Sequence, residues 1–152
     1  MNVRIDFVLN NRFGKLEHII FKLVLNGFSD SREIAAAFPI FSDYVIAKAI
    51  KNLVNQQMIT VDLKSGKLSI SEPIRALISA CLNKRFEIQI PDSLLNIFDK
   101  RSIVISSNQG KESNILKREL LTCLLPNVKL DHYITSLDFV LTPEEGDSNY
   151  GK

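Results

Sequence analysis

The chain holds two histidines, His18 and His132, and two cysteines, Cys81 and Cys123. No two of these residues stand at the tight spacing that zinc ligands need, so no metal is expected. The cysteines lack CxxC spacing and sit in apolar surroundings, which marks them as reduced core residues of a cytoplasmic protein. There is no nucleophile elbow and no HExxH, and the adjacent acids Glu144-Glu145 fall in a polar tail. Neither catalysis nor a cofactor is expected. The stretch SIVISSNQGKES has the strand-loop-helix look of a phosphate-binding loop. However, Ile105 stands where that pattern has its first glycine, and Glu112 where it has Ser or Thr. Gly110 is read as a turn before a helix.

What remains is positive charge. The net charge is only +2, but residues 1–130 carry +6 and residues 131–152 carry −4. A mildly basic body with an acidic end permits an anionic partner without requiring one. The pairs Lys84-Arg85, Lys100-Arg101 and Lys117-Arg118 read as ordinary exposed charges at element ends, the alternative being an extended phosphate-contacting surface. Phe41, Phe86, Phe98 and Phe139 read as core rather than as base-stacking platforms.

These residues need elements to position them. With 152 residues, 45% of them hydrophobic, the chain can build a core without metals or disulfides. No run approaches the ~18 to 20 apolar residues of a membrane span. Arg4 and Asp6 interrupt the start as a signal peptide. RIDFVL reads as a short strand with Ile5, Phe7 and Leu9 on one face. Leu16, Ile19, Ile20, Leu23 and Val24 have helical spacing, and Asn26-Gly27 supplies a stop. Asp30 and Glu33 have capping-box spacing for a helix over about 31–38 that buries Ile34, Ala35 and Phe38. Pro39 breaks it. Ser42 then caps a third helix to about Gln57, with Ile46, Ala49, Ile50, Leu53 and Val54 as its apolar stripe. Tyr44, Lys48, Lys51 and Asn55 fall on the opposite side.

MITVDL and KLSI flank Lys64-Ser65-Gly66-Lys67 and read as a hairpin. Glu72-Pro73 opens a helix carrying Ile74, Leu77, Ile78 and Cys81. In the second half, FEIQI reads as a strand, SLLNIF as a short helix, SIVIS as a buried strand, and residues 112–125 as a helix ended by Pro126. ITSLDFVL alternates like a strand. TPEEGDSNYGK carries too little apolar surface to offset the entropy of ordering, so disorder is expected there.

Three helices followed by a hairpin is a specific order. Residues 15–71 resemble a winged helix-turn-helix of the MarR and ArsR families of bacterial transcription regulators. The resemblance rests on Ile34-Ala35, Ser42, IAKAIKNLVNQQMI at 46–59, and the KSGK tip. It implies that the third helix lies in a DNA major groove while the hairpin reaches the backbone or minor groove. Lys48 and Lys51 would then meet phosphates or guanine edges, Tyr44 and Asn55 would add hydrogen bonds, and Lys64 and Lys67 would charge the wing tip. Ser42 and nearby N–H groups would meet a phosphate at the helix N-terminus. Gln57 stands where the family has Gly, so a left-handed turn there would carry strain of up to ~1 kcal/mol. The Pro39-Ile40-Phe41 turn is one residue longer than the family pattern.

The expected architecture is α+β: a winged helix over 1–83, a small α/β region over 84–142, and a disordered acidic tail over 143–152. The expected function is non-catalytic duplex DNA binding, as a small transcriptional regulator or as a recognition module, with a homodimer implied by the resemblance. A solvated lysine face is the alternative reading of Lys48 and Lys51. It would suit a protein-docking winged helix, or a segment or subunit of a larger defence or replication assembly. An apolar patch with Tyr44 and Phe41 would favour that protein partner.

Overall fold

The computed structural model describes residues 2–82, 86–88, 102–106, 110–125, 133 and 136–143. In chain order the elements are β1 (Asn2–Leu9), α1 (Lys15–Leu25), α2 (Ser31–Ala37), α3 (Asp43–Asn55), β2 (Ile59–Val61) and β3 (Leu68–Ile70). Then follow α4 (Glu72–Cys81), β4 (Phe86–Glu87), β5 (Ile103–Ile105), α5 (Lys111–Leu124) and β6 (Leu137–Pro143). The class is α+β, with antiparallel pairing in both sheets. No described helix is long and apolar enough to cross a membrane.

The chain divides into two compact units, residues 11–75 and residues 1–10 with 76–152. This differs from the expected boundary at residue 83. The reason is pairing. β1 lies against β6 in antiparallel register from Val3↔Pro143 to Leu9↔Leu137, so the first ten residues belong with the C-terminal part of the chain.

In residues 11–75, local signals set the helix ends. Glu17 reaches back to accept the Gly14 N–H at 2.9 Å and opens α1. At its other end Gly27, with φ of 98°, donates to the Val24 carbonyl at 3.1 Å while Phe28 donates to Leu23 at 3.0 Å. This double closure satisfies carbonyls that the last turn would otherwise orphan. α1 buries Ile20, Phe21 and Val24, whereas Ile19 is exposed. The helix is turned from its expected stripe because burying the phenyl ring of Phe21 removes more apolar area than burying Ile19. Asp30 caps α2 by accepting the Arg32 N–H at 2.9 Å. α3 buries Ile46, Ala49, Ile50 and Leu53, as its spacing predicts. His18 packs edge-on against Phe13, with ring centroids 6.5 Å apart.

The other unit is built on a sheet ordered β4-β1-β6-β5. It is antiparallel throughout, not the α/β arrangement expected of this region. Alternation sorts its faces: Val3, Ile5, Leu9, Leu137, Phe139 and Leu141 are buried, while Arg4, Asp6 and Thr142 are exposed. Gly110 precedes α5 with φ of 100°, a backbone that glycine adopts without penalty. The Ser113 hydroxyl donates to the Ser106 carbonyl, tying α5 to the end of β5.

Lys117 corrects the expectation of exposed basic pairs. It has no exposed surface, and its Nζ lies 3.1 Å from Asp138 Oδ1. Arg118 beside it is exposed. Burial pushes the Lys117 ammonium below its ordinary pKa, and the hydrogen bond and charge of Asp138 oppose that shift. The cysteines are corrected too. Cys81 is half-buried and Cys123 exposed, because position 123 falls on the outer face of α5, away from Leu120, Leu121 and Leu124. The expectations for SLLNIF, Lys84-Arg85, Lys100-Arg101, Phe98, His132 and the acidic tail lie outside the described residues.

Candidate nucleic-acid interface

The candidate site is assembled on α3 and the β2–β3 hairpin, both within residues 11–75. Ser42 fixes where α3 begins. Its Oγ accepts the Val45 N–H at 3.2 Å, which leaves the hydroxyl proton free to donate outward. From that start, spacings of four, three and four residues carry Tyr44, Lys48, Lys51 and Asn55 along one stripe opposite the buried face. All five residues, Ser42 included, are exposed.

The end of α3 is equally defined. Gln57 has φ of 59°, donates to Val54 at 3.0 Å, and is followed by a Met58 N–H that bonds Leu53 at 2.9 Å. This is the left-handed closure also seen at Gly27, here made by a residue with a Cβ. The strain expected of Gln57 is therefore present. Leu53 and Met58, both fully buried, anchor the turn at its two ends.

The hairpin pairs Ile59↔Ile70, Thr60↔Ser69 and Val61↔Leu68, and the Thr60 and Ser69 hydroxyls bond across it at 2.8 Å. The Leu68 N–H donates to Ser29 O at 2.7 Å and roots the hairpin on the chain before α2. At the tip the Asp62 carboxylate accepts the Lys64 N–H at 2.9 Å. That bond, aided by the Ser65 hydroxyl, holds the exposed carboxyl below its ordinary pKa. Gly66, with φ of 72°, closes the turn by donating to Asp62 O at 2.7 Å.

The structure thus groups the seven expected residues in two sets, five on α3 and Lys64 with Lys67 on the hairpin tip. A concavity of about 620 Å³ lies between α2, α3 and the hairpin, with Asp43 and Ala47 on one rim and Gly66 on another. Its floor is apolar, from Ala35, Ile46, Ile50 and Leu68. Among the described residues, none of Lys48, Lys51, Lys64 and Lys67 has a carboxylate within ion-pairing distance. Two exposed carboxylates share these elements, Asp43 in the first turn of α3 and Asp62 at the hairpin tip.

Two exposed apolar features escaped the sequence reading. Ile40 is 87% exposed in the turn before α3, where Phe41, Tyr44 and Val45 are also exposed. Leu63 is 97% exposed at the hairpin tip. The signal for Leu63 was its position between Asp62 and Lys64 in a connection where every neighbour is polar or glycine. Phe41 is exposed rather than core, because the extra turn residue carries it out beyond Phe38, which its ring meets at 6.5 Å. Phe139 is fully buried and Phe86 half-buried. Comparison of the chain with protein-family models, with curated proteins and with solved structures finds no match in any of the three.

Proposed function

We propose that residues 15–71 form a winged helix-turn-helix and that this chain binds duplex DNA without catalysing a reaction, as a small regulator or as the recognition module of a larger assembly. The observation that carries this reading is the set of four exposed lysines on two elements of one unit, none of them ion-paired among the described residues. Lys48 and Lys51 stand one turn apart on the α3 stripe, the spacing of a helix face that enters a major groove. Tyr44 and Asn55 offer hydrogen-bonding groups on that stripe, and Ser42 offers its hydroxyl to a phosphate. Lys64 and Lys67 charge the tip of a hairpin of the size that follows a neighbouring groove or backbone. A homodimer would present two such faces to a two-fold site.

The test is fluorescence anisotropy of a labelled random-sequence duplex at ~50 and ~200 mM salt. Four lysine–phosphate contacts imply a log–log slope of about −3.6, a loss of about 10²-fold in affinity between those salts. Absence of binding at the lower salt would overturn the reading.

A second reading is a protein-docking winged helix. The exposed cluster of Ile40, Phe41, Tyr44 and Val45 favours it, since contiguous apolar surface of this kind marks interaction sites. Substituting Ile40 and Phe41 by Ser separates the two: loss of a captured protein partner with duplex affinity unchanged assigns that cluster to the partner.

A further inference from the structure

The hairpin tip presents an apolar side chain between Asp62 and Lys64, on a turn whose backbone is fixed by hydrogen bonds. Leu63 is the most exposed large hydrophobic residue among those described. Its neighbours fix the backbone that displays it. Asp62 N–H donates to Lys67 O at 2.9 Å and Gly66 N–H to Asp62 O at 2.7 Å. The Asp62 carboxylate takes the Lys64 N–H at 2.9 Å, and the Ser65 hydroxyl takes the Lys67 N–H at 3.3 Å. None of these bonds uses the side chain of residue 63, so any polar residue would serve the turn as well. Leucine there forgoes solvation and gains no packing within the described unit. Lys64 and Lys67 follow it in the turn, exposed and with no carboxylate within ion-pairing distance among the described residues, while the exposed Asp62 before it accepts the Lys64 N–H on a carboxylate oxygen.

We propose, resting on the DNA reading above, that Leu63 is a wedge inserted from the minor groove between two base pairs of the bound duplex, with Lys64 and Lys67 on the phosphates beside it. Apolar wedges of this kind part a base step and kink the duplex. Steps that part easily are pyrimidine–purine steps, TA above all, and a narrow A·T-rich minor groove deepens the negative potential that attracts lysine. The hydrogen-bonded turn meets the duplex already shaped. The inferred substrate is therefore deformable, A·T-rich duplex containing a TA step. The wedge selects by the deformability of the step and makes no base-edge hydrogen bonds of its own.

The test uses the full chain and short duplexes carrying 2-aminopurine beside a TA step, with anisotropy of an end label recording binding in the same samples. Unstacking raises 2-aminopurine fluorescence. The native chain is expected to give a severalfold rise once bound, and to prefer the TA duplex over an all-G·C duplex by about tenfold. Leu63→Ala is expected to bind with an unchanged salt slope while losing both the rise and the preference. Leu63→Phe is expected to keep both. A duplex that is bound but gives no rise, or gives the same rise with Leu63→Ala, overturns the wedge and leaves the DNA reading standing. Absence of binding by the native chain overturns the two together. Position 63 is 97% exposed, so neither substitution removes packing that the fold depends on.

Discussion

Lys117 Nζ meets Asp138 Oδ1 at 3.1 Å, with the lysine side chain wholly buried and the aspartate side chain 16% exposed. The pair joins α5 to β6 inside the sheet-bearing unit. A buried pair of this kind is costly to break and less costly to replace, because removing one partner strands the other charge. Asp138→Asn is therefore expected to destabilise the chain by about 2–4 kcal/mol, whereas replacing both partners, Lys117→Met with Asp138→Asn, should cost far less. Urea denaturation of both variants measures the difference, and equal losses would contradict the stranding argument.

The same lysine gives a pH dependence with a definite sign. Its folded pKa lies below the ordinary lysine value of 10.5, because desolvation outweighs the attraction of Asp138. Between the folded value and 10.5 the unfolded chain binds more protons than the folded chain, so stability from this group rises with pH across that window. The stability of the native chain minus that of Lys117→Met should increase as pH climbs toward 10.5. A falling difference would mean that Asp138 wins over desolvation.

At the end of α3, Gln57 holds φ of 59° with a Cβ. Gln57→Gly relieves strain of up to ~1 kcal/mol and gives back part of it through the freer unfolded chain, leaving a net gain of a few tenths of a kcal/mol. Gly27→Ala, at φ of 98° in the matching turn of α1, should move stability the other way by about 1 kcal/mol or more. Thermal unfolding of the two variants side by side reads both signs.

The lysine stripe makes a prediction about affinity rather than stability. Lys48→Ala with Lys51→Ala should make the salt slope for duplex binding less steep by about 1.8 and leave the melting temperature within error. An unchanged slope would remove α3 from the interface.

Much of residues 11–75 was legible because its signals are local. Asn26-Gly27, Asp30, Ser42 and Gly66 each act on backbone groups within a few residues, and the structure uses each of them where the sequence places it. The positions of the exposed site residues followed from the same helical spacing. What could not be read depends on partners far along the chain. RIDFVL alternates like many strands, and nothing in it names residues 137–143 as its neighbour. Lys117 has the sequence context of a surface charge, beside Arg118 and Glu119. Only the approach of Asp138 makes its burial tolerable. Leu63 and Ile40 were missed for the opposite reason: hydropathy predicts burial, and a turn can override it.

The pairing of β1 with β6 also imposes an order of events on a chain made from its N-terminus. Residues 11–75 draw most of their contacts from one another, and units of that kind fold as they are made. β1 is made before them and closes late. Until residues 137–143 are synthesised, the nascent chain holds Val3, Ile5, Phe7 and Leu9 without the strand that covers their backbone edge. That long wait makes the sheet-bearing unit the slower to fold, and leaves residues 2–9 exposed meanwhile to mispairing with another chain.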